Sequence, residues 1–249
     1  MPHASQHPSL LPSIDVLECS AVKLVRGVPG TGLRLGDPWR LAEFWSSLGA
    51  SMVHVVDLDG AMRGRPSSCV LGLVKRMVSE LGLGVQLGGG LRDIGVLEEA
   101  YSIGASRLVV ASAWLRNPGF LAEAVDRLGD GVLVAALEES WEALPARAGW
   151  RGRAPLSVAE AVRLAGSVKG LFGLMYTQVF HEGEMRGVDV LRASRLSALA
   201  REAGVERLIY SGGVASARDL EVLGVLGFSE AVVGMAIYTW RLNPLGWLS

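Results

Sequence analysis

Two stretches decide the fold: LPSID at residues 11–15 and VLVAALE at residues 132–138, each an apolar run ending in a carboxylate. An offset of 123 residues carries Asp15 onto Glu138. The same offset relates three further pairs of segments: DGAMRG at 59–64 and EGEMRG at 182–187, Gly89-Gly90 and Gly212-Gly213, and Val109-Val110 and Val232-Val233. Four matches at one offset, with no gap, predict that the chain consists of two copies of one half.

Composition limits the class of protein and of partner. The chain has 249 residues, 50% of them hydrophobic and 20% charged, with a net charge of −1. This length can bury a large core in one domain, and the near-zero charge argues against nucleic acid or an anionic membrane as partner. No apolar stretch approaches membrane-spanning length, and the first eight residues lack a hydrophobic signal core. We therefore expect a soluble cytoplasmic protein, a monomer that binds a small molecule.

The two cysteines, Cys19 and Cys69, have neither metal-ligand nor redox spacing. We interpret them as free thiols in a reducing compartment, and a disulfide is the less favoured alternative.

Short β-branched runs alternate with longer helical patterns, which indicates βαβ units and a parallel sheet. The predicted strands lie near 11–16, 52–57, 84–88, 107–111, 132–137, 171–177, 207–211 and 230–234. The predicted helices lie near 38–49, 68–82, 94–104, 117–128, 157–167, 190–203, 217–227 and 236–242. Eight strands and eight helices predict an α/β fold, a (β/α)₈ TIM barrel.

The structural alternative is an open, doubly wound sheet. The duplication favours the barrel, because two equivalent four-stranded halves close naturally into an eight-stranded ring. We predict one domain over 1–249, with a flexible tail at 1–10 and half-barrels at about 11–128 and 132–249.

In such barrels the loops after the strands build the active site. Asp15 follows the first strand and Glu138 the fifth, so we expect the two acids to face each other across the mouth. One ionised and one protonated carboxylate suit general acid–base catalysis. The alternative is that each acid only caps a loop or pairs with a basic residue.

Glycine-rich segments follow the third and seventh predicted strands and lead into helices. Glycines allow backbone N–H groups to approach an anion, and a helix N-terminus adds favourable partial charge. Together with the segments after strands four and eight, they predict two phosphate cradles. The first cradle comprises Gly89, Gly90, Arg92, Ala111 and Ser112; the second comprises Gly212, Gly213, Gly234 and Met235. A ligand with a phosphate at each end would then lie over the two acids.

Other polar residues give weaker signals. His54 is interpreted as a packed histidine and His181 as a solvated one. Trp150 lies in the long segment 139–156, where it can either anchor the loop or cover a substrate ring. No metal-ligand cluster is present in the sequence, so we expect no metal.

These residues resemble the phosphoribosylformimino-aminoimidazole carboxamide ribotide isomerase family of histidine biosynthesis, over about residues 11–240. The resemblance rests on SIDV at 13–16 followed by VKLVRG at 22–27, on HVVDLDGA at 54–61, on the two glycine segments, and on Gly149-Trp150. The segment at 54–61 is the most specific, since it distinguishes the isomerase from its sister barrel, the cyclase subunit of imidazole glycerol phosphate synthase.

The resemblance implies a (β/α)₈ enzyme that performs an Amadori rearrangement, converting an aminoaldose into an aminoketose without metal or cofactor. It implies that Asp15 is the general base, that the acid of the fifth strand is the general acid, and that Thr177 assists. The family's substrate carries a phosphate on each sugar.

Several residues depart from the family pattern. The fifth-strand acid is Glu138 instead of aspartate, Thr177 is followed by Gln178, and EGE at 182–184 replaces Asp-Gly-Thr. Cys19, Ser68 and Met235 are further departures. Two alternatives therefore stay open: a bisphosphate-binding paralogue with altered or lost activity, and an isomerase that also accepts phosphoribosyl anthranilate.

Overall fold

A computed structural model describes residues 7–25, 27–139, 156–179 and 183–248. The strands are β1 (Ser9–Leu17), β2 (Ser20–Val25), β3 (Val28–Gly36), β4 (Met52–Asp57), β5 (Gly84–Gly88), β6 (Arg107–Val110), β7 (Leu133–Glu139), β8 (Gly173–Gln178), β9 (Leu208–Ser211) and β10 (Glu230–Val233). The helices are α1 (Pro38–Ser47), α2 (Leu58–Arg63), α3 (Ser68–Leu81), α4 (Ile94–Ser102), α5 (Ser112–Arg116), α6 (Phe120–Leu128), α7 (Val158–Ser167), α8 (Val190–Glu202), α9 (Ala217–Val225) and α10 (Met235–Tyr238).

Eight parallel strands, β1 and β4 to β10, form a closed barrel. Each pairs with the next around the ring, and β10 pairs with the first residues of β1. Helices connect successive strands and cover the outside, where their apolar faces form the larger core. The predicted (β/α)₈ TIM barrel is confirmed, and the open sheet is wrong because the first and last strands are hydrogen-bonded to each other.

An antiparallel hairpin, β2 and β3, extends from the upper end of β1. The sequence prediction missed both strands, because an eight-unit pattern assigns their residues to the first loop. It also missed α2 and α5, which have six and five residues and are too short for an amphipathic period of their own.

The N-terminal boundary differs from the prediction. Of the predicted tail, 1–6 lie outside the described residues, whereas Ser9 and Leu10 belong to β1 and pair with β10. Leu10 is fully buried, so the strand begins before the predicted end of the tail at residue 10.

Strand pairing shows that the repeat is not free of gaps. Asp15 pairs with Val56 in the first half, and Glu138 pairs with Thr177 in the second. The two acids are 123 residues apart, but Val56 and Thr177 are 121 apart. The offset is 123 again in β5 and β9. The prediction of one constant offset was wrong in this detail, because the second half is two residues shorter between its first two strands.

The two cysteines are not free thiols. Cys19 and Cys69 form a disulfide, with their Cα atoms 6.0 Å apart. Spacing along the sequence did not reveal this, because the turn that carries Cys19 meets the start of α3 only in the folded chain.

Candidate active site at the barrel mouth

Alternation along the strands places the candidate residues inside the barrel. A separate apolar cluster fills the interior and consists of Leu11, Val109, Val134, Ala136, Met175, Ile209 and Val232. Side chains of one strand point inward at every second residue. Asp15, Glu138 and Thr177 therefore face inward, one layer or more above this cluster, at the carboxyl ends of β1, β7 and β8.

Asp15 is held by two side chains that the sequence analysis did not single out. The Lys23 ammonium lies 2.7 Å from Asp15 Oδ1, and the Ser13 hydroxyl donates to the same oxygen at 2.7 Å. Lys23 also donates to Ser13 Oγ at 2.7 Å, and only 6% of Lys23 is exposed. A lysine in an apolar strand next to an acid is the signal that could have identified it, but it lies in the hairpin that was read as a loop.

The adjacent acids Glu138 and Glu139 lie in different surroundings. Glu138 is half-buried and is the register partner of the buried Thr177. Glu139 points outward, accepts a hydrogen bond from the Tyr176 hydroxyl and forms an ion pair with Arg192 at 2.5 Å. Glu138 therefore lies at the barrel mouth, whereas Glu139 belongs to a structural ion pair.

The two glycine pairs share one backbone conformation. Gly89, Gly90, Gly212 and Gly213 all have φ between 77° and 101°, a region that residues with a Cβ rarely adopt. A Cβ on Gly89 would lie 2.1 Å from the Asp57 carbonyl oxygen. The equivalent Cβ on Gly212 would lie 2.6 Å from the carbonyl oxygen of Gln178, the last residue of β8. Close packing against the end of the neighbouring strand thus requires these glycines, in addition to any role in anion binding.

The predicted second cradle borders an open cavity. The space it encloses is about 470 Å³, including the part open to solvent. The lining of this cavity includes Asp15, Lys23, Gly212, Gly213, Gly234 and Met235. A Cβ on Gly234 would lie 2.8 Å from Lys23 Nζ, so the ammonium lies directly against this cradle.

The predicted first cradle does not line that cavity. Arg92 is half-buried, and its guanidinium donates to the Ala61 carbonyl oxygen. Ala111 and Ser112 are half-buried at the start of α5. Glu138 and Thr177 also lie outside the lining of this cavity, so the cavity joins the predicted base to one cradle only.

Three other candidates have different outcomes. Trp150 and His181 lie outside the described residues. His54 is inside the barrel, 4% exposed, with Nδ1 3.0 Å from Gln86 Nε2, as expected for a packed histidine. Burial is the main cause that lowers its pKa from 6.5 to about 4; the nearby Asp15 charge opposes this shift and the Lys23 charge adds to it.

Of the departure at residues 182–184, Glu182 lies outside the described residues, and Glu184 has a basic partner. Glu184 forms an ion pair with Arg186 at 3.0 Å, and the neighbouring Gly183 and Met185 line the cavity. Because Arg186 offsets the charge of Glu184, a phosphate in the second cradle would not face an uncompensated carboxylate there.

Within the described ranges, no group of three or more His, Cys, Asp or Glu side chains could hold a metal ion. None of the helices in those ranges combines the length and apolarity needed to span a membrane.

Comparison with known proteins gives one consistent family. The model of the family described as "Histidine biosynthesis protein" matches residues 9–243. The chain is 34% identical over 235 residues to 1-(5-phosphoribosyl)-5-((5-phosphoribosylamino)methylideneamino) imidazole-4-carboxamide isomerase of Thermus thermophilus, covering 94% of this chain and 96% of the relative. Proteins of the same name are similar in Streptococcus sanguinis (32% identity; 94% of each chain) and Thermococcus kodakarensis (34% identity; 91% of this chain, 90% of the relative). The family predicted from the sequence is confirmed.

Proposed function

The chain belongs to the histidine biosynthesis protein family, and we propose on that premise that it is an isomerase with the activity for which its relatives are named. It converts the N-formimino phosphoribosyl aminoimidazole carboxamide ribotide, an aminoaldose, into its ribulosyl form, an aminoketose. The observation that carries the proposal is the placement of Asp15 and Glu138 at equivalent inward-facing strand ends, with Asp15 beside a glycine-lined cavity.

Glu138 acts as the general acid and Asp15 as the general base. Glu138 donates a proton to the ring oxygen of the ribose, which opens the ring and leaves an iminium carbon. Asp15 then removes the proton from the neighbouring carbon, which gives an enol. The enol becomes the ketone when Asp15 returns that proton to the former iminium carbon and the enol hydroxyl loses its proton, which restores the acid Glu138. Thr177, next to Glu138, assists in positioning the opened sugar. Positioned acid–base groups of this kind typically contribute about 10²–10⁴-fold in rate.

Lys23 and Ser13 orient the base. Both contact the same oxygen of Asp15, and Lys23 also donates to Ser13 Oγ, so together they hold the carboxylate in place and stabilise its negative charge. Because both contacts with Asp15 are to Oδ1, we expect Oδ2 to take the proton from the substrate.

The two glycine cradles hold the two phosphates. Gly212, Gly213, Gly234 and Met235 bind one, with the Lys23 ammonium adding positive charge beneath it. The other binds at Gly89, Gly90, Arg92, Ala111 and Ser112. The substrate thereby spans the mouth with its reacting sugar over the acids, and Trp150 covers its imidazole ring.

Every step of this reaction is a proton transfer, so the proposal needs no metal or cofactor. We expect the enzyme to act in the cytoplasm as a monomer, on a small molecule and without nucleic acid.

The test is a spectrophotometric assay of the purified protein with the aminoaldose, coupled to the cyclase that consumes the product. Wild type should turn over, and Asp15→Asn should lose at least about a hundredfold in kcat with an unchanged circular dichroism spectrum. Glu138→Asp should stay active, because it retains an acid and shortens its reach by one methylene. A folded wild type that binds the substrate without turnover would refute the isomerase.

A further inference from the structure

The Cys19–Cys69 disulfide ties down the turn that carries the predicted base. Asp15, Val16 and Leu17 pair with Val22, Ala21 and Ser20 in a tight hairpin between β1 and β2. Glu18 and Cys19 form the turn, and Cys19 is bonded to Cys69, the second residue of α3. The covalent link therefore lies four residues beyond Asp15 and four before Lys23.

The turn needs such support, because its backbone is unfavourable for the residues it contains. Glu18 and Cys19 have φ of 50° and 59°, and a two-residue hairpin turn of this kind is normally made with glycine or asparagine. The Glu18 N–H donates to Asp59 Oδ2 at 2.6 Å, which is a second attachment. A free hairpin of this sequence would leave the left-handed conformation for a large part of the time.

Cys69, the other cysteine of the disulfide, lies in a segment that is held firmly to the barrel. Ser67 is the residue before α3, and its N–H and hydroxyl both donate to Asp57 Oδ2, at 2.6 and 2.8 Å. Asp57 is the last residue of the barrel strand β4 and is fully buried. The disulfide thus anchors the hairpin to the barrel wall.

The second half has a tether in the equivalent place. Cys69 and Arg192 are 123 residues apart, at the starts of α3 and α8. Arg192 binds Glu139, the residue after Glu138. In each half, a residue in the first turn of this helix is therefore tied close to the candidate acid: Cys69, the second residue of α3, to the turn after β1 by the disulfide, and Arg192, the third residue of α8, to the last residue of β7 by an ion pair. This agreement argues that the disulfide is part of how the site is positioned.

We propose that the Cys19–Cys69 disulfide positions Asp15 and Lys23 for turnover and makes this positioning sensitive to thiol reductants. The inference rests on the proposed function for its effect on rate. Cys19 is exposed and Cys69 half-buried, so a dithiol thiolate attacks Cys19 Sγ and Cys69 leaves as a thiolate, which takes up a proton. The second thiol of the reagent then displaces Cys19 as a thiol, and the dithiol becomes a cyclic disulfide, having supplied two electrons.

Reduction should lower kcat about tenfold, because a displacement of a fraction of an ångström at the base is enough for such a loss. KM should change by a smaller factor than kcat, since the glycine loops of the second cradle do not belong to the hairpin and only Lys23 connects the two. The measurement is kcat and KM of the whole chain before and after treatment with dithiothreitol. A thiol assay should find no free thiol per chain before reduction and two after it.

Two variants separate positioning from simple stabilisation. Cys69→Ser removes the disulfide and leaves Cys19 in its unfavourable turn, so it should match reduced wild type and ignore dithiothreitol. Cys19→Gly also removes the disulfide, but glycine suits the turn, so it should recover most of the lost kcat. Equal kcat in oxidised wild type, fully reduced wild type and Cys69→Ser would overturn the proposal.

Hydrogen exchange keeps the test valid if the proposed function fails. Amides of residues 16–22 should lose protection on reduction while those of β8 do not. If neither redox state turns over, the isomerase proposal fails, and unchanged protection of 16–22 would overturn the disulfide's role separately.

Discussion

The two half-barrels share their strand pairing but differ in almost every polar group that the pairing brings to the interior. Asp15 has Lys23 and Ser13 around it, whereas the position equivalent to Ser13 in the second half is Ala136. His54 in β4 corresponds to Met175 in β8. Each lies two residues before the residue that pairs with the acid, which is Val56 in the first half and Thr177 in the second. The repeat therefore specifies the barrel, and the differences between its copies specify the chemistry.

One pair of equivalent residues joins the halves instead of distinguishing them. Arg107 and Glu230 begin β6 and β10, 123 residues apart, and form a salt bridge at 2.6 Å. The repeat places these two residues opposite each other at the end of the barrel where the strands begin, and their opposite charges allow them to pair. The Arg107 guanidinium also lies 3.7 Å from the ring centre of Phe172.

The largest expected effect concerns the acid of the second half. Glu138→Gln should lower kcat by about 10²–10⁴-fold, because the amide cannot donate the proton that opens the sugar. Glu139→Gln is the matched control: it removes the adjacent carboxylate, which faces α8, and should cost at most about tenfold. Steady-state assays of both variants decide the matter. The reverse ranking would assign the general acid to Glu139 and contradict the inward placement of Glu138.

Sequence reasoning succeeded where local signals and the repeat agree. Strands at 52–57 and 84–88 have the predicted ends, because each is a short, mainly apolar run with a helical pattern on either side. The glycine pairs and Asp15 were found because each recurs, or has an acidic counterpart, near a fixed offset.

The features that the sequence did not predict depend on contacts between distant segments. Lys23 was missed because the hairpin that brings it to Asp15 has no counterpart in the eight-unit pattern. The Cys19–Cys69 bond joins residues 50 positions apart, and nothing local to either cysteine reveals the meeting of turn and helix. The gap in the repeat appears only in the hydrogen-bonded register of β8.

The link between the halves provides the second prediction. Arg107→Met should lower the free energy of unfolding by about 3–5 kcal/mol, because it leaves Glu230 buried without its partner. Urea unfolding at neutral pH measures this loss. The exposed pair Arg127–Glu98 is the control, since Arg127→Met should leave the free energy of unfolding nearly unchanged. Similar small losses in both variants would mean that the salt bridge at the lower end of the barrel does not hold the halves together.

The third prediction uses the histidine that only the first half carries. The pKa of His54 is about 4 in the folded protein and about 6.5 when unfolded, so the unfolded chain binds more protons between these values. Neutral His54 thus makes its full contribution to the free energy of unfolding above pH 6.5, and this contribution is lost as the pH falls towards 4. The loss amounts to about 3 kcal/mol.

Replacing His54 with the residue of the other half isolates this contribution. His54→Met should remove about 3 kcal/mol from the difference in unfolding free energy between pH 7 and pH 4, measured by urea titration at each pH. The variant will also lose some stability at pH 7, because Gln86 loses its acceptor; the pH dependence is the quantity that tests the prediction. Parallel pH curves for both proteins would contradict a buried neutral histidine.

The smallest expected effect concerns the loop position after the last strand of each half, which is Ala111 in the first and Gly234 in the second. Gly234→Ala should lower kcat/KM by about threefold to tenfold. Its Cβ would lie 2.8 Å from Lys23 Nζ and must displace the ammonium by a few tenths of an ångström from both Asp15 and the cradle. The backbone itself accepts alanine, since the equivalent Ala111 has nearly the same φ and ψ, −113° and −80° against −118° and −94° at Gly234. The reciprocal change, Ala111→Gly, meets no such lysine and should change kcat/KM less than about twofold. Equal responses to the two changes would mean that Lys23 does not couple the second cradle to the base, and that the halves differ there in sequence only.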